Sequence, residues 1–410
     1  MGENAVKLSQ YDEFPVHQTP YPVTYIPSTD YAWDEGYWFG VFNADEKVFL
    51  GTYLRINPNT DMIGGCVLLN VAGHQTTIRF NRCWRRNVAL EVGPFRVTIV
   101  EPLKRIRIEL AENDSGVSFD IMWEGTSPAF LEDHHIATHR GRRTTDQSRY
   151  SQPGKCTGWI KSSERSWEVE PEGWSGSRDH SWGLYASRPP LSPLPTLLPP
   201  MEDDEGPKRA MRFWNCFRTG EYSGFYHVHE TAEGVQGKMN DVFGTPFGGR
   251  IFKGWDEEEV ELVSGRHEME FTEGTRILKR ATFFLADKDG REWKQVFDIE
   301  TPPWVVQPMG AFPGSWYDGG TFFTYHGSEE LALEWEAADY SVQPFQYTPH
   351  SVSGAGASEG FNTGTSVGSM VHGPEYLARV TTYAPDGTVS RGSSQVELFI
   401  NGRYDPYGFQ

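Results

Sequence analysis

The sequence lacks several features that define common protein classes. It contains no run of about 18 apolar residues and so predicts no transmembrane span. Residues 1–14 are polar and lack the apolar core of a signal peptide. Only four cysteines are spread over 410 residues, without a CxxC motif, which argues against a disulfide framework or a zinc ribbon. We therefore expect a cytoplasmic protein with reduced thiols.

Positive charge is also scarce. The 37 Lys and Arg residues are outnumbered by 56 Asp and Glu residues, which gives a formal net charge of −19. Proteins that bind nucleic acids or anionic membranes present clustered positive charge, so we expect neither partner. The P-loop and HExxH motifs are absent as well. These absences leave the binding or chemical conversion of a small molecule.

What the sequence does contain is a dense series of strand and turn signals. Apolar and polar residues alternate in many segments, and turn sequences recur about every 8–14 residues. Residues 97–123, 277–299 and 377–400 each predict hairpins around Gly-containing turns. Residues 329–338 allow either a short helix or a strand. The pattern predicts an all-β protein made of antiparallel sandwiches or barrels.

Two features suggest how the chain is organised. A break near residues 140–146 predicts a domain of residues 1–145 and a second domain of residues 146–410. Residues 188–209 hold seven prolines together with leucines and an acidic patch, so they form neither a central strand nor a helix interior. This insertion is either an exposed polyproline connector or a semi-rigid flap over an apolar pocket.

Histidines cluster at two places. His134 and His135 follow Asp133, and His227 and His229 lie two residues apart in a strand-like stretch. Residues two apart in a strand face the same side, so the second pair could converge on a ligand or a metal. This pattern permits a metal-dependent hydrolase, although the sequence identifies no third ligand. The alternative is that these histidines are structural or face solvent.

The most distinctive segment is GWSGSRDHSWGLY, residues 173–185. Strand alternation places Arg178, His180 and Trp182 on one face and Asp179 on the other. Burial would raise the pKa of Asp179 and make it an acid, whereas pairing with Arg178 would lower it and leave a fixed anion or a base. A purely structural Arg–Asp pair at a domain junction is the alternative.

This segment resembles the Asp-His-x-Trp-Gly signature of the AttH-like and carotenoid 1,2-hydratase-like proteins of the calycin superfamily. Tocopherol cyclases and lipocalin-fold Diels–Alderases are similar to that family. The stretch YSQPGKCTGW, residues 150–159, resembles the opening strand of the family's second half. The resemblance implies two lipocalin-like antiparallel β-barrels or half-barrels packed together, with the motif lining the interface between them.

The resemblance also implies a function. Such proteins carry out cofactor-free addition or removal of water, cyclisation or pericyclic closure in an apolar pocket. We therefore expect a cofactor-independent lyase or isomerase that acts on a hydrophobic terpenoid, steroid or aromatic substrate. The alternative is a non-catalytic carrier of such a molecule. In either case we expect a monomer or a homodimer that needs no metal.

The candidate site residues fall into two groups. Asp179 is the predicted acid–base carboxylate, His180 is its partner or proton shuttle, and Arg178 fixes Asp179 or a substrate oxygen. Aromatic side chains suit a cationic intermediate because their faces attract positive charge. The predicted substrate-binding residues are Trp182, Trp174, Tyr185, Trp38, Glu35, Trp316, His227 and His229.

Overall fold

The computed structural model describes most of the chain. The described residues are 8, 10–14, 29–87, 89–139, 142–185, 207–239, 245–257, 259–311, 314–341 and 374–410. The predicted Pro-rich insertion, residues 188–209, lies outside the described residues except for its last three.

The described residues form 21 strands and three short 3₁₀ helices. The strands are β1 (Trp33–Asn43), β2 (Val48–Asn57), β3 (Met62–Val71), β4 (His74–Cys83), β5 (Glu91–Val92), β6 (Phe95–Glu101), β7 (Arg105–Leu110), β8 (Ser118–Gly125), β9 (Phe130–His139), β10 (Arg142–Lys161), β11 (Ser166–Val169), β12 (Ser175–Tyr185), β13 (Met211–Thr219), β14 (Ser223–Glu230), β15 (Phe247–Phe252), β16 (Val260–Phe271), β17 (Leu278–Asp287), β18 (Glu292–Ile299), β19 (Ala332–Asp339), β20 (Glu375–Tyr383) and β21 (Val389–Ile400). The 3₁₀ helices are Gln10–Glu13, Gln307–Met309 and Asp405–Tyr407.

The strands form two antiparallel sheets. The first sheet has 13 strands in the order β19-β4-β3-β2-β1-β12-β10-β8-β7-β6-β5, with β9 and β11 also paired to β10, and it forms a half-barrel. The second sheet is a closed barrel in the order β13-β14-β15-β16-β17-β18-β20-β21. The prediction of an all-β protein with two antiparallel barrels or half-barrels is confirmed: one sheet is a half-barrel and the other is a closed barrel.

The predicted hairpins correspond to strands of these sheets. Residues 97–123 contain β6, β7 and β8, residues 277–299 contain β17 and β18, and residues 377–400 contain β20 and β21. The segment that allowed a helix or a strand is the strand β19, which pairs with β4 at the edge of the half-barrel. The alternation of apolar and polar residues therefore identified the strands of these hairpins. For residues 329–338, pairing with β4 decided between a helix and a strand.

The division of the chain at residue 145 stays a prediction. That position lies within β10, which runs without interruption from Arg142 to Lys161. By hydrogen bonding, β10 and β12 belong to the half-barrel, and the closed barrel begins at β13.

Side chains alternate between two environments along β1. Tyr37 and Phe39 belong to the hydrophobic core of the half-barrel. Trp38 and Phe42 belong to a different cluster, which includes Trp304 from the loop after β18. The second face of β1 and β12 is turned toward the closed barrel, and this interface between the two sheets is called the intersheet cleft below.

Two further findings concern the protein as a whole. Within the described residues, no helix has the length and apolar character needed to cross a membrane. All four cysteines are free, and Cys66, Cys156 and Cys216 are buried.

Candidate active site

The Arg-Asp-His segment lies on β12, in the middle of the half-barrel between β1 and β10. In the pairing with β1, Asp179 lies opposite Trp38 and His180 lies opposite Tyr37. Because Tyr37 is in the half-barrel core and Trp38 is on the other face, Arg178 and His180 point into the core and Asp179 points into the intersheet cleft. The structure therefore separates the three residues that the sequence predicted to be catalytic.

Arg178 forms a buried ion pair with a residue far away in the sequence. Its Nη1 and Nη2 donate to the two carboxylate oxygens of Glu13 at 3.0 and 2.9 Å, and both residues are almost fully buried. The backbone N–H of Leu103 also donates to Glu13, at 2.6 Å. Burial by itself would raise the pKa of Glu13, but the Arg178 guanidinium outweighs it, so the pKa lies below its usual value. Glu13 is therefore a fixed anion that neutralises Arg178.

His180 lies beside this pair in the same buried network. Its Nδ1 is 3.0 Å from the hydroxyl of Tyr150, and its Nε2 is 2.8 Å from a carboxylate oxygen of Glu35. The Tyr37 ring stacks on the imidazole with ring centroids 4.2 Å apart. Both ring nitrogens therefore have partners within the protein, and burial raises the pKa of Tyr150 and Tyr37 well above the usual value. The arrangement fixes the orientation of His180 in the half-barrel core.

On the opposite face of β12, Asp179 lies in a polar part of the intersheet cleft. Asp179 keeps partial exposure, and its charge acts on the buried Cys216 and Glu375 of the closed barrel. The neighbouring Ser177 donates to the side-chain carbonyl of Gln395 at 2.5 Å, and Gln395 donates to Glu375 at 2.7 Å. This chain of hydrogen bonds joins the half-barrel to the barrel next to Asp179.

Glu132 is a second carboxyl group in the cleft, and a β-bulge places it there. β9 pairs with β10 with a register shift between Ser148 and Tyr150, so that Glu132 and Asp133 together oppose Arg149. Glu132 is buried and accepts a hydrogen bond from the hydroxyl of Ser151. Burial raises its pKa, and Asp179 adds to that effect, while Arg149 opposes it. Glu132 therefore favours its protonated form more than an exposed glutamate does.

Three imidazoles face the same region. His227 and His229 lie on β14 with ring centroids 5.1 Å apart, and His135 comes from β9 of the half-barrel. Burial lowers the pKa of His135 and of His227 to about 4, and nearby positive charge, including that of Arg149 and Arg212, adds to the effect. All three are neutral at neutral pH, since burial lowers the pKa of His229 as well.

The hydrogen bonding of His227 indicates which ring nitrogen is basic. Its Nε2 lies 3.1 Å from the backbone carbonyl oxygen of Thr245. A carbonyl can only accept, so Nε2 carries the proton of the neutral ring and Nδ1 keeps a lone pair. Because His227 is partly exposed, this arrangement makes it a possible proton acceptor in the cleft.

The remaining candidates are distributed over several environments. Trp182 is partly exposed beside His180, with ring centroids 5.3 Å apart, whereas Trp174 is buried in the half-barrel core. Trp38 stacks on Trp304 and donates to Gln395. Trp316 stacks on His326 in the loop between β18 and β19. Tyr185 is the last residue of β12, opposite Thr145, and its side chain lies outside the described part of the structure.

Sequence reasoning missed several polar residues of the half-barrel core and of the intersheet cleft: Glu13, Glu132, Tyr150, Arg149, Arg212, Glu375 and Glu397. Glu132 directly precedes the Asp133–His134–His135 cluster, which was the available signal. An unbroken strand would nevertheless place Glu132 and His135 on opposite faces, and only the bulge brings them to the same side. Within the described residues, no three His, Cys, Asp or Glu side chains are arranged to hold a metal ion.

Comparisons with known proteins give the following results. No curated protein matches the sequence. The fold is similar to that of kievitone hydratase from Nectria haematococca, with 9% identity, a TM-score of 0.40, and coverage of 90% of this chain and 89% of that chain. It is also similar to CghA with Sch210972, with 7% identity, a TM-score of 0.44, and coverage of 90% and 89%, and to CghA alone, with 9% identity, a TM-score of 0.44, and coverage of 90% and 88%.

A family model matches residues 8–344, which include the whole half-barrel and most of the closed barrel. The chain thus belongs to the family of unknown function DUF8625.

Proposed function

We propose that this protein is a cofactor-independent lyase or isomerase of the hydratase, dehydratase or cyclase type. The substrate is a hydrophobic terpenoid, steroid or aromatic compound bound in the intersheet cleft. The observation that carries the proposal is the shared surroundings of Glu132 and His227: the charges of Arg149 and Arg212 act on both groups, and that of Asp179 acts on Glu132. Reactions at a carbon–carbon double bond need one group that delivers a proton and another that removes one.

Glu132 is the proposed acid. A general acid must hold its proton near neutral pH, and the raised pKa of this buried carboxyl favours that state. The hydroxyl of Ser151 donates to one carboxyl oxygen and orients the group. Glu132 then protonates the alkene, or the hydroxyl group that leaves as water.

His227 is the proposed base. In a hydration, its Nδ1 removes a proton from the water that attacks the carbocation; in a dehydration or cyclisation, it removes a proton from the adjacent carbon. Either way the imidazole becomes an imidazolium and Glu132 becomes a carboxylate, and proton exchange with solvent restores both. The hydrogen bond from Nε2 to Thr245 keeps Nδ1 free of its own proton.

Asp179 and Trp38 support the positive charge that develops between acid and base. They lie directly opposite each other on β12 and β1, and Asp179 keeps partial exposure in the cleft. A carboxylate stabilises a nearby cation by Coulomb attraction, and an indole face adds about 0.5–2 kcal/mol. In this proposal Asp179 keeps a role at the reacting atoms.

Arg178 and His180 have a positioning role in this proposal. They are buried on the other face of β12 and are fully engaged with Glu13, Tyr150 and Glu35. This network fixes β12, and with it the position of Asp179, against β1 and β10. A substitution of His180 should therefore reduce kcat and thermal stability together.

The test is a conversion assay. The purified protein is incubated in ¹⁸O-labelled water with terpenoid alcohols, sterols and prenylated phenols, and the products are analysed by mass spectrometry. Hydration adds one labelled water, dehydration removes one water, and cyclisation changes the chromatographic retention without a change in mass. We expect Glu132→Gln to lower kcat by about 100-fold or more while the substrate still binds.

The matched control is Glu268→Gln, because the Glu268 side chain is 71% exposed on the barrel surface. This variant should retain the kcat of the wild type. If Glu132→Gln also retains it, the proposed acid is wrong. If the protein binds a hydrophobic compound tightly and converts none of the panel, the protein is a carrier and the proposed enzymatic function is wrong.

A further inference from the structure

His229 differs from the other buried histidines of the described structure. His180, His267 and His326 each have partners on both ring nitrogens, and His227 is bonded to Thr245. The Nδ1 atom of His229, in contrast, is buried and has no hydrogen-bond partner in the described part of the chain. The residue is 9% exposed.

An unpartnered buried polar atom is unfavourable, because it has lost its water without gaining another partner. The strand itself does not require an imidazole here, since an apolar ring would fill the same position without this cost. The Nδ1 atom is therefore available to a group that enters the intersheet cleft. Its position beside His227 places that group next to the proposed base.

The surroundings of His229 restrict what this group can be. Arg212 lies directly opposite His229 on β13, and its charge is balanced by Glu397 at 2.7 Å. A ligand carboxylate would find that guanidinium already paired, and a ligand cation would find the Glu397 carboxylate already paired. A ring nitrogen of a neutral imidazole accepts a hydrogen bond from a hydroxyl group or donates one to its oxygen, depending on the tautomer. An uncharged hydroxyl group can form either hydrogen bond, because it both donates and accepts.

We infer that His229 binds a hydroxyl group of the substrate, so that the substrate is a hydroxylated hydrophobic compound, such as a phenol or an alicyclic alcohol, and not a pure hydrocarbon. The inference rests on the proposed function for the location of the substrate. It goes further because it assigns a specificity-determining residue and one functional group of the ligand.

The experiment compares two probes that differ by one hydroxyl group. Binding of β-naphthol and of naphthalene is measured by equilibrium dialysis with the wild-type protein, with His229→Phe and with the control His74→Phe, whose side chain is 68% exposed in the wild type. The wild type and the control should bind β-naphthol about tenfold or more tightly than naphthalene. His229→Phe should bind both probes equally, with its affinity for naphthalene unchanged.

Thermal unfolding of the same variants separates recognition from a structural role. If Nδ1 has no partner in the free protein, His229→Phe should melt at the same temperature as the wild type or above it. A lower melting temperature would show that the imidazole makes a stabilising bond within the protein and would contradict the inference. Equal affinity of the wild type for both probes, or no binding of either up to its solubility limit, would also overturn it.

The dialysis measurement does not depend on turnover. A preference for β-naphthol that disappears in His229→Phe supports the inference even if no compound is converted, in which case the proposed enzymatic function fails alone. Conversion without any hydroxyl preference would leave the enzyme proposal standing and the inference refuted.

Discussion

Removing the Glu13 carboxylate should destabilise the protein strongly, because it leaves a buried cation without its partner. In Glu13→Ala the Arg178 guanidinium stays buried without its counter-ion, and the N–H of Leu103 loses its acceptor. Removal of one partner from a buried ion pair costs about 3–5 kcal/mol. With a urea m-value of about 3 kcal/mol/M, the unfolding midpoint should fall by about 1–2 M.

The assay is urea unfolding followed by tryptophan fluorescence, with two comparison variants. Glu112→Ala removes an exposed partner of Lys161, for which a change of at most about 1 kcal/mol is expected. In the double variant Glu13→Ala with Arg178→Met, most of the lost stability should return, because the buried charge is removed as well. If Glu13→Ala shifts the midpoint no more than Glu112→Ala does, the buried pair is not a major source of stability.

The same pair predicts a pH dependence with a definite sign. The pKa of Glu13 is lowered on folding, so its contribution to stability is complete above its ordinary value near 4.5 and is lost as the pH falls through the lowered pKa. The wild type should therefore lose stability below about pH 4.5 more steeply than Glu13→Gln. Parallel acid unfolding curves would refute the assignment.

Three further predictions concern the motif strand and the cleft. In Gly183→Ala the new Cβ would overlap the carbonyl oxygen of Asp146 at a φ of +119°, so differential scanning calorimetry should show destabilisation by about 1–3 kcal/mol or more. Burial, and after it the charge of Glu397, raises the pKa of Glu375 well above the usual value. The wild type should therefore lose stability as the pH rises through that pKa. In thermal melts between pH 5 and 9, the melting temperature of Glu375→Gln should change less with pH than that of the wild type. If His227 is the base, the activity should decline as the pH falls below about 4, because that imidazole has a pKa of about 4 and becomes protonated. Initial rates measured on both sides of pH 4 should show this decline.

The strands and their hairpins followed from local sequence. Alternation in residues 277–299 and 377–400 reflects the two faces of a sheet, and this property belongs to each strand by itself. The separation of Asp179 from Arg178 and His180 followed from the same rule. The identity of the pairing partners did not, since β1 pairs with β12 and β19 pairs with β4 across long stretches of chain.

The sequence alone determined an all-β protein, an excess of negative charge, and a polar Arg-Asp-His segment on one strand. Tertiary structure decided which polar groups meet. Glu13 reaches Arg178 across 165 positions, and a bulge brings Glu132 to the same side of β9 as His135. Burial, charge proximity and hydrogen-bond partners set the protonation of these groups, and all three depend on which strands pack together. No local periodicity records that information, because it arises from contacts between residues distant in the chain.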